Sequence, residues 1–322
     1  MKLKKLTQLS DKATEEDKKA LEYLKQKFVK GVTELRLAPF WEMAITPEDV
    51  PKVLSSLKDQ PFFKPTLIKL ISEVSEETHL SWTLVEIFAR LLSNTQLDLS
   101  NYIIDKWHKF SRLTRLKIQL SLSKKGAWLW DTGVVEYVSS RAGLIVEDSV
   151  ELIDSSNLPE RISDLRRFAE QGQAIPIDRL LGQYVSEERK IILYEAAIQE
   201  VSKHLKCDSP VLRTVVLFHE AAHAILHLGK DLDRKALGLH DKMSEQVHET
   251  FAQLFCYYIC KDDPELMDCF EKLDNILEDI YRHWRDFEDI GLEKIRKAML
   301  NLRESTKESI CLDDVRDFMR RI

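Results

Sequence analysis

Five residues, His219-Glu220-Ala221-Ala222-His223, constrain this chain more than any others. They form the pattern H-E-x-x-H inside the apolar run 215–227. Residues four apart share one face of a helix, so His219 and His223 can turn two imidazole nitrogens toward a single ion. Glu220 is offset by about a quarter-turn, where it can reach an attacking water without itself coordinating. The neighbours Val215, Val216, Leu217, Phe218, Ala221, Ala222, Ala224, Ile225 and Leu226 describe a buried helix of good propensity. They offer nothing to pair with two imidazoles and a carboxylate. A buried polar group left unpaired costs roughly 1–3 kcal/mol, and a buried carboxylate more unless it meets a cation or a water-filled cleft. The plainer alternative has the histidines bonded to backbone carbonyls and Glu220 at the surface.

A hydrolytic metal site needs a third protein ligand and an open position. Position 229, six residues after His223, is glycine, so the H-x-x-G-x-x-H extension is absent. Downstream, the segment 244–256 offers two carboxylates, Glu245 and Glu249. A ligand helix must approach closely, so the positions stacked beside its ligand should be small. From Glu249 that face runs through Ala252, Gln253, Cys256 and Cys260; from Glu245 it meets His248 and Glu249. Helical face geometry therefore favours Glu249, with Glu245 as the competing ligand or as a residue that orients a ligand histidine.

The run Glu249-Thr250-Phe251-Ala252-Gln253-Leu254-Phe255-Cys256 resembles the E-x-x-A-N-x-F-A signature that follows H-E-x-x-H in the ImmA/IrrE-type metallopeptidases. Those proteins also tend to read H-E-x-x-H-x-x-x-H, as 219 to 227 does here. Glu249-Thr250-Phe251-Ala252 is likewise similar to the E-G-F-A turn of gluzincin aminopeptidases. The resemblance covers residues 210–260, and it departs from the first family at Ala222, where glycine is usual, and at Gln253, where asparagine is usual. A helix-turn-helix partner domain is not recognisable. What the resemblance implies is a gluzincin-type zinc metallopeptidase, a hydrolase acting on a protein or peptide. His219, His223 and Glu249 would hold Zn2+, and Glu220 would be the catalytic base.

Around this core the reading is less specific. Residues 189–194 read as a β-strand ahead of a helix over 195–205; the strand is the candidate edge along which a peptide pairs, and periodicity equally allows an ordinary core strand. The donor for the developing oxyanion stays open among Tyr194, His204, His240, His248, Tyr257, Tyr258, Tyr281 and His283. His227, one turn beyond His223, is expected to line the cleft or support a ligand; as a fourth ligand it would close the site. His79 and His108 read as core or surface residues.

Few glycines and prolines, nine of each in 322 residues, disfavour a β-sandwich and favour helices. Apolar residues at 44% and charged ones at 32% describe a globular chain rather than a disordered one. A net charge of −6 gives no electrostatic reason to bind nucleic acid. The lysine-rich start lacks the apolar segment of a secretory signal, and no apolar run approaches the roughly 20 residues that span a bilayer. A cytoplasmic protein with no membrane contact is therefore expected. Five scattered cysteines make no disulfide framework, and Cys256 and Cys260 read as small packing residues.

Helix-like spacing covers 11–30, 47–59, 65–93 and 99–122, with a break at 61–65 and a turn region at 124–133. Short strands are expected at 134–138 and 143–146. Asp263-Pro264 opens a helix-rich tail carrying Trp284 and Phe287 on apolar faces. The expected architecture is mainly α with a small β-sheet (α+β), a zincin-like core flanked by helical regions. Its parts are a helical region over 1–122, a metallopeptidase core over 123–262 and a helical region over 263–322. The alternative to an enzyme is a regulatory or protein-binding module that retains the fold without significant proteolysis.

Overall fold

The structure, a computed structural model, describes residues 67–68, 71–72, 74, 80–93, 98–123, 132–305 and 307–321. The helices expected at 11–30 and 47–59, the break at 61–65, most of the 124–133 turn and His79 lie outside them. The chain is mainly helical with one small mixed sheet. It divides into two compact units, 1–130 and 131–322.

In the first unit the described helices are α1 (Trp82–Ser93), α2 (Asp98–Asp105) and α3 (Arg112–Ser123). The stretch expected as one helix over 99–122 is two. Between them lies a 3-10 turn at Trp107–Lys109, after which the Ser111 hydroxyl accepts the Thr114 N–H at 3.0 Å and starts α3 afresh. Leu84, Val85, Ile87, Phe88 and Leu91 of α1 are buried and pack on α3, with Phe88 and Phe110 rings 5.8 Å apart. The buried Lys117 of α3 donates to the Leu80 carbonyl at 2.8 Å. Its ammonium also sits 5.2 Å from the Trp82 ring. His108 is exposed.

The second unit is built around one helix. It contains α4 (Thr132–Arg141), β1 (Glu151–Ser155), α5 (Ile162–Gln171), β2 (Gly182–Val185), β3 (Lys190–Tyr194), α6 (Glu195–Leu205) and α7 (Ser209–Leu228). These are followed by α8 (Glu245–Cys260), α9 (Pro264–Asp274), a 3-10 helix at Asp279–Phe287, α10 (Leu292–Arg303) and α11 (Leu312–Arg321). Helix α7 is buried along nearly its whole length, as a helix that is apolar all round must be. It packs against α4, α6, α8, α9, β2 and β3. By length and composition it could cross a membrane, and it is the single such helix among the described residues. Yet 89% of its apolar window is buried inside the protein, so its apolar surface is already used by the core.

Two sequence expectations are corrected here. Residues 134–138 are helical, within α4, rather than a strand. Val134, Val135, Tyr137 and Val138 are all buried, and α4 lies on α7. The strand preference of β-branched residues reflects the fit of a half-buried pleated surface, and packing against a helix overrides it. Residues 143–146 form no strand; Ile145 makes one isolated bridge to Lys230.

The sheet has the order β1-β3-β2. Strand β1 runs parallel to β3, with Glu151 beside Lys190 and Ser155 beside Tyr194. Strand β2 runs antiparallel to β3, with Gly182 opposite Leu193 and Val185 opposite Lys190. The strand and helix expected at 189–194 and 195–205 are present as β3 and α6, but β3 is the central strand. Both of its edges are taken, so it cannot receive a peptide, and the edges of the sheet belong to β1 and β2.

A buried arginine ties the sheet to α7. Arg213 donates through Nε to Asp154 at 3.1 Å and to Glu195 at 2.8 Å, from the end of β1 and the start of α6. Helix α9 begins where Asp263 caps it, accepting N–H groups of Glu265 and Leu266 at 3.1 and 3.2 Å, as the Asp-Pro signal predicts.

Candidate metal centre

Helix α7 carries His219, Glu220 and His223, and α8 brings Glu249 to them. One ligand atom from each of His219, His223 and Glu249 falls within a sphere in which all three lie no more than 4.8 Å apart, an arrangement that can hold a metal ion. The Glu249 Oε2 atom is 3.1 Å from His219 Nε2 and 3.6 Å from His223 Nε2. The two Nε2 atoms are 3.1 Å apart. Glu245 is exposed at the first turn of α8 and does not join the group.

The close approach of α8 has the cause inferred from its small face. Ala252, Gln253, Cys256 and Cys260 are all buried, and the Cys256 thiol reaches the Val215 carbonyl of α7 at 3.3 Å. Cys256 and Cys260 are free thiols, 3.9 Å apart. Gln253, one turn beyond Glu249, sets its side-chain amide against His219.

At the centre, burial and the facing charges oppose one another. Burial pushes His219 below its ordinary pKa, with Glu249 opposing. Burial acts against charge on His223 as well. There the Glu249 carboxylate outweighs it, aided by Glu220, and lifts the group to about 9. Burial alone would raise Glu249, but the facing imidazoles, His223 foremost, hold it well below the usual carboxylate range. Several buried atoms still lack hydrogen-bond partners: both Glu220 oxygens, Glu249 Oε2 and His219 Nδ1. Carboxylate oxygens converging with imidazole nitrogens are a donor set suited to a divalent transition ion. The observed residues fit such an ion.

Glu220 stands apart from the three ligands. It is 1% exposed, and burial raises its carboxyl to about 8, with His223 opposing and Asp178 and Glu249 adding to the rise. Gly182 of β2 packs directly against it. A Cβ at that position would lie 2.8 Å from Glu220 Oε1 and 2.8 Å from Val216 Cγ1, so only glycine admits the approach. Tyr194 N–H donates to the Leu181 carbonyl at 2.9 Å, which puts Leu181 on the bonded side of the β2–β3 ladder. By alternation Gly182 and Tyr184 turn their main chains outward, and the Tyr184 N–H is directed toward Glu220. The Gly182 carbonyl accepts from Arg179 N at 2.8 Å. Strand β2 is therefore the sheet edge beside Glu220.

The open list of polar donors is narrowed by what each residue already does. Tyr281 is buried, its ring centre 5.9 Å from that of His219, and its hydroxyl accepts the Asp178 N–H at 3.3 Å while keeping a proton of its own. Tyr258 donates to the Glu288 carbonyl at 2.6 Å and accepts from Gly291 N at 2.7 Å. Tyr257 stacks on Trp284, with ring centres 4.6 Å apart. Tyr194 donates to Gln183 at 3.3 Å, and His204 is exposed against Phe168. His283 is half-buried. His227 bonds Tyr184 Oη through Nδ1 at 2.9 Å and is not among the grouped ligands, which leaves the centre with three. His240 and His248 lie beyond His223, in contact with one another.

Gly182, Tyr184 and Asp178 were not singled out by sequence. They fall in the mixed segment 154–187, where four-residue β2 gives too little alternation to read. The raised carboxyl of Asp178, caused by burial and by Glu249, marks it as a neighbour of the centre. No protein-family model, curated protein or solved structure matches this chain.

Proposed function

We propose that this chain is a zinc-dependent peptidase of gluzincin-like type, with a zincin-like core in its second unit. The observation that carries the reading is the buried His219–His223–Glu249 group with Glu220 buried beside it, at the edge of a sheet. Two imidazoles and one carboxylate suit zinc and leave a position for substrate or water. His219, His223 and Glu249 would hold a zinc ion, which when bound would supply Lewis acidity toward a carbonyl oxygen and a water.

The chain's own residues do the rest. Glu220, held apart from the ligands and buried, accepts in its ionised form the proton of the attacking water and passes it to the leaving amine; a divalent cation beside it would favour that form. The Tyr184 N–H faces Glu220, so the outward Tyr184 carbonyl of β2 is the main-chain group that suits an extended peptide laid along the sheet edge. Tyr281, facing His219 with a proton to donate, suits the developing negative charge on the carbonyl oxygen. His223 has 13% of its side chain exposed, against 0% for His219 and 8% for Glu249, so access runs along its side.

Metal analysis and cleavage of a peptide library by the full chain test the reading together. About one zinc per chain is expected. Glu220→Gln should keep the metal and lose cleavage by several orders of magnitude. Glu249→Ala should lose the metal, and Glu245→Ala should keep it. Cleavage surviving in Glu220→Gln, or no zinc in the wild type, sinks the proposal.

A further inference from the structure

A second group of imidazoles lies outside the centre. His223 and His248 have ring centres 6.2 Å apart, His248 and His240 4.9 Å, and His240 and His227 4.8 Å. The row starts at the centre and ends at Tyr184 on the sheet edge. His227 belongs to the last turn of α7, whereas His240 belongs to a half-exposed 3-10 turn, His240–Lys242, just before α8.

His227, His240 and His248 each have one ring nitrogen in a hydrogen bond. His227 Nδ1 bonds Tyr184 Oη at 2.9 Å, and His240 Nδ1 bonds Asp241 Oδ1 at 3.0 Å. His248 Nε2 donates to the His240 carbonyl at 2.8 Å, which fixes the turn to α8. Ligand imidazoles in metal sites are held in this way, by a hydroxyl, carboxylate or carbonyl on the far nitrogen. For His227 and His240 the arrangement leaves Nε2 on both rings. Two imidazoles bound side by side to one ion, with metal–nitrogen bonds of 2.0–2.1 Å, have ring centres about 5 Å apart. The observed separation already matches.

We propose that His227 and His240 form a second, weaker site for a divalent transition cation, completed by water, at the rim of the first. Imidazole pairs of this kind favour zinc, nickel or copper over magnesium or calcium. An ion there joins the end of α7 to the turn ahead of α8. Through the Tyr184 bond it also restrains the edge strand β2.

Calorimetric titration of the metal-free full-length protein with Zn2+ alone tests this. Two binding events are expected, one tight and one weaker. His227→Ala and His240→Ala should each weaken the second event at least about tenfold and leave the first unchanged. His240 sits on a half-exposed turn and its side chain bonds only Asp241, so its variant keeps the fold even if His227→Ala does not. His219→Ala should remove the tight event and keep the weaker one. The site is thereby read without any cleavage, and failure of the peptidase reading leaves this test standing. A single event in the wild type overturns the proposal. So does a weaker event that survives in the double variant, since it would then come from scattered surface groups.

Discussion

Glu220 and Gly182 make the sharpest residue-scale test of the proposed function, because one added methyl group would displace the carboxylate. Gly182→Ala would put a carbon 2.8 Å from Glu220 Oε1 and from Val216 Cγ1, so either the strand or the glutamate must shift. The ligands are untouched, so zinc content should be unchanged while kcat falls about 10- to 100-fold, the usual effect of an ångström-scale misplacement. Unchanged kcat would mean that Glu220 tolerates displacement and is not the base. At this scale the candidate ligands were legible. His219, Glu220 and His223 follow from spacing within one helix, and Glu249 follows from a small-residue face on the next. Gly182 was not legible, since its role is a contact between residues 38 positions apart that no local pattern records.

At the scale of elements, the segments that sequence misassigned share a cause. Val134, Val135 and Val138 favour strands locally, yet burial against α7 makes them helical. Residues 190–194 were rightly a strand, but periodicity says nothing of whether a strand is central or at an edge. The loop between α7 and α8 is pinned by a similarly non-local contact. Asp231 accepts from Arg303 of α10 at 2.6 Å and from Lys235 N at 2.9 Å. The Arg303 hydrogen bond, with the Lys235 N–H, holds its carboxyl below the ordinary value. Because the folded pKa is the lower one, this stabilisation is fully present above the unfolded value of about 3.9. It is lost as pH falls through the folded pKa. Asp231→Asn should therefore be less stable than the wild type in urea at pH 7, and the gap should shrink below about pH 4. A gap that does not change with pH would assign the stabilisation to something other than this carboxylate.

For the whole molecule, all of the site lies in the second unit, and the chain's end belongs to it. Met243 bridges to Ile310, and Ser244 N donates to the Ile310 carbonyl at 2.9 Å, immediately before the ligand helix α8. Helix α11 packs on α8 and α10. Residues 131–322 expressed alone should unfold in one cooperative transition and bind zinc as tightly as the full chain. Removal of 305–322 from that piece should weaken zinc binding at least about tenfold, because a ligand helix loses its anchor. Equal affinity with and without the segment would show that α7 alone sets the position of α8. Local rules were enough for the helix-rich class, the ligand spacing and the Asp263-Pro264 start of α9, since each depends on residues within a turn or two of one another. The order β1-β3-β2, the helical state of 132–141 and the approach of Gly182 to Glu220 arise from contacts between segments distant in sequence. Burial of apolar faces selects among the local options there, and that selection exists only once the chain has folded.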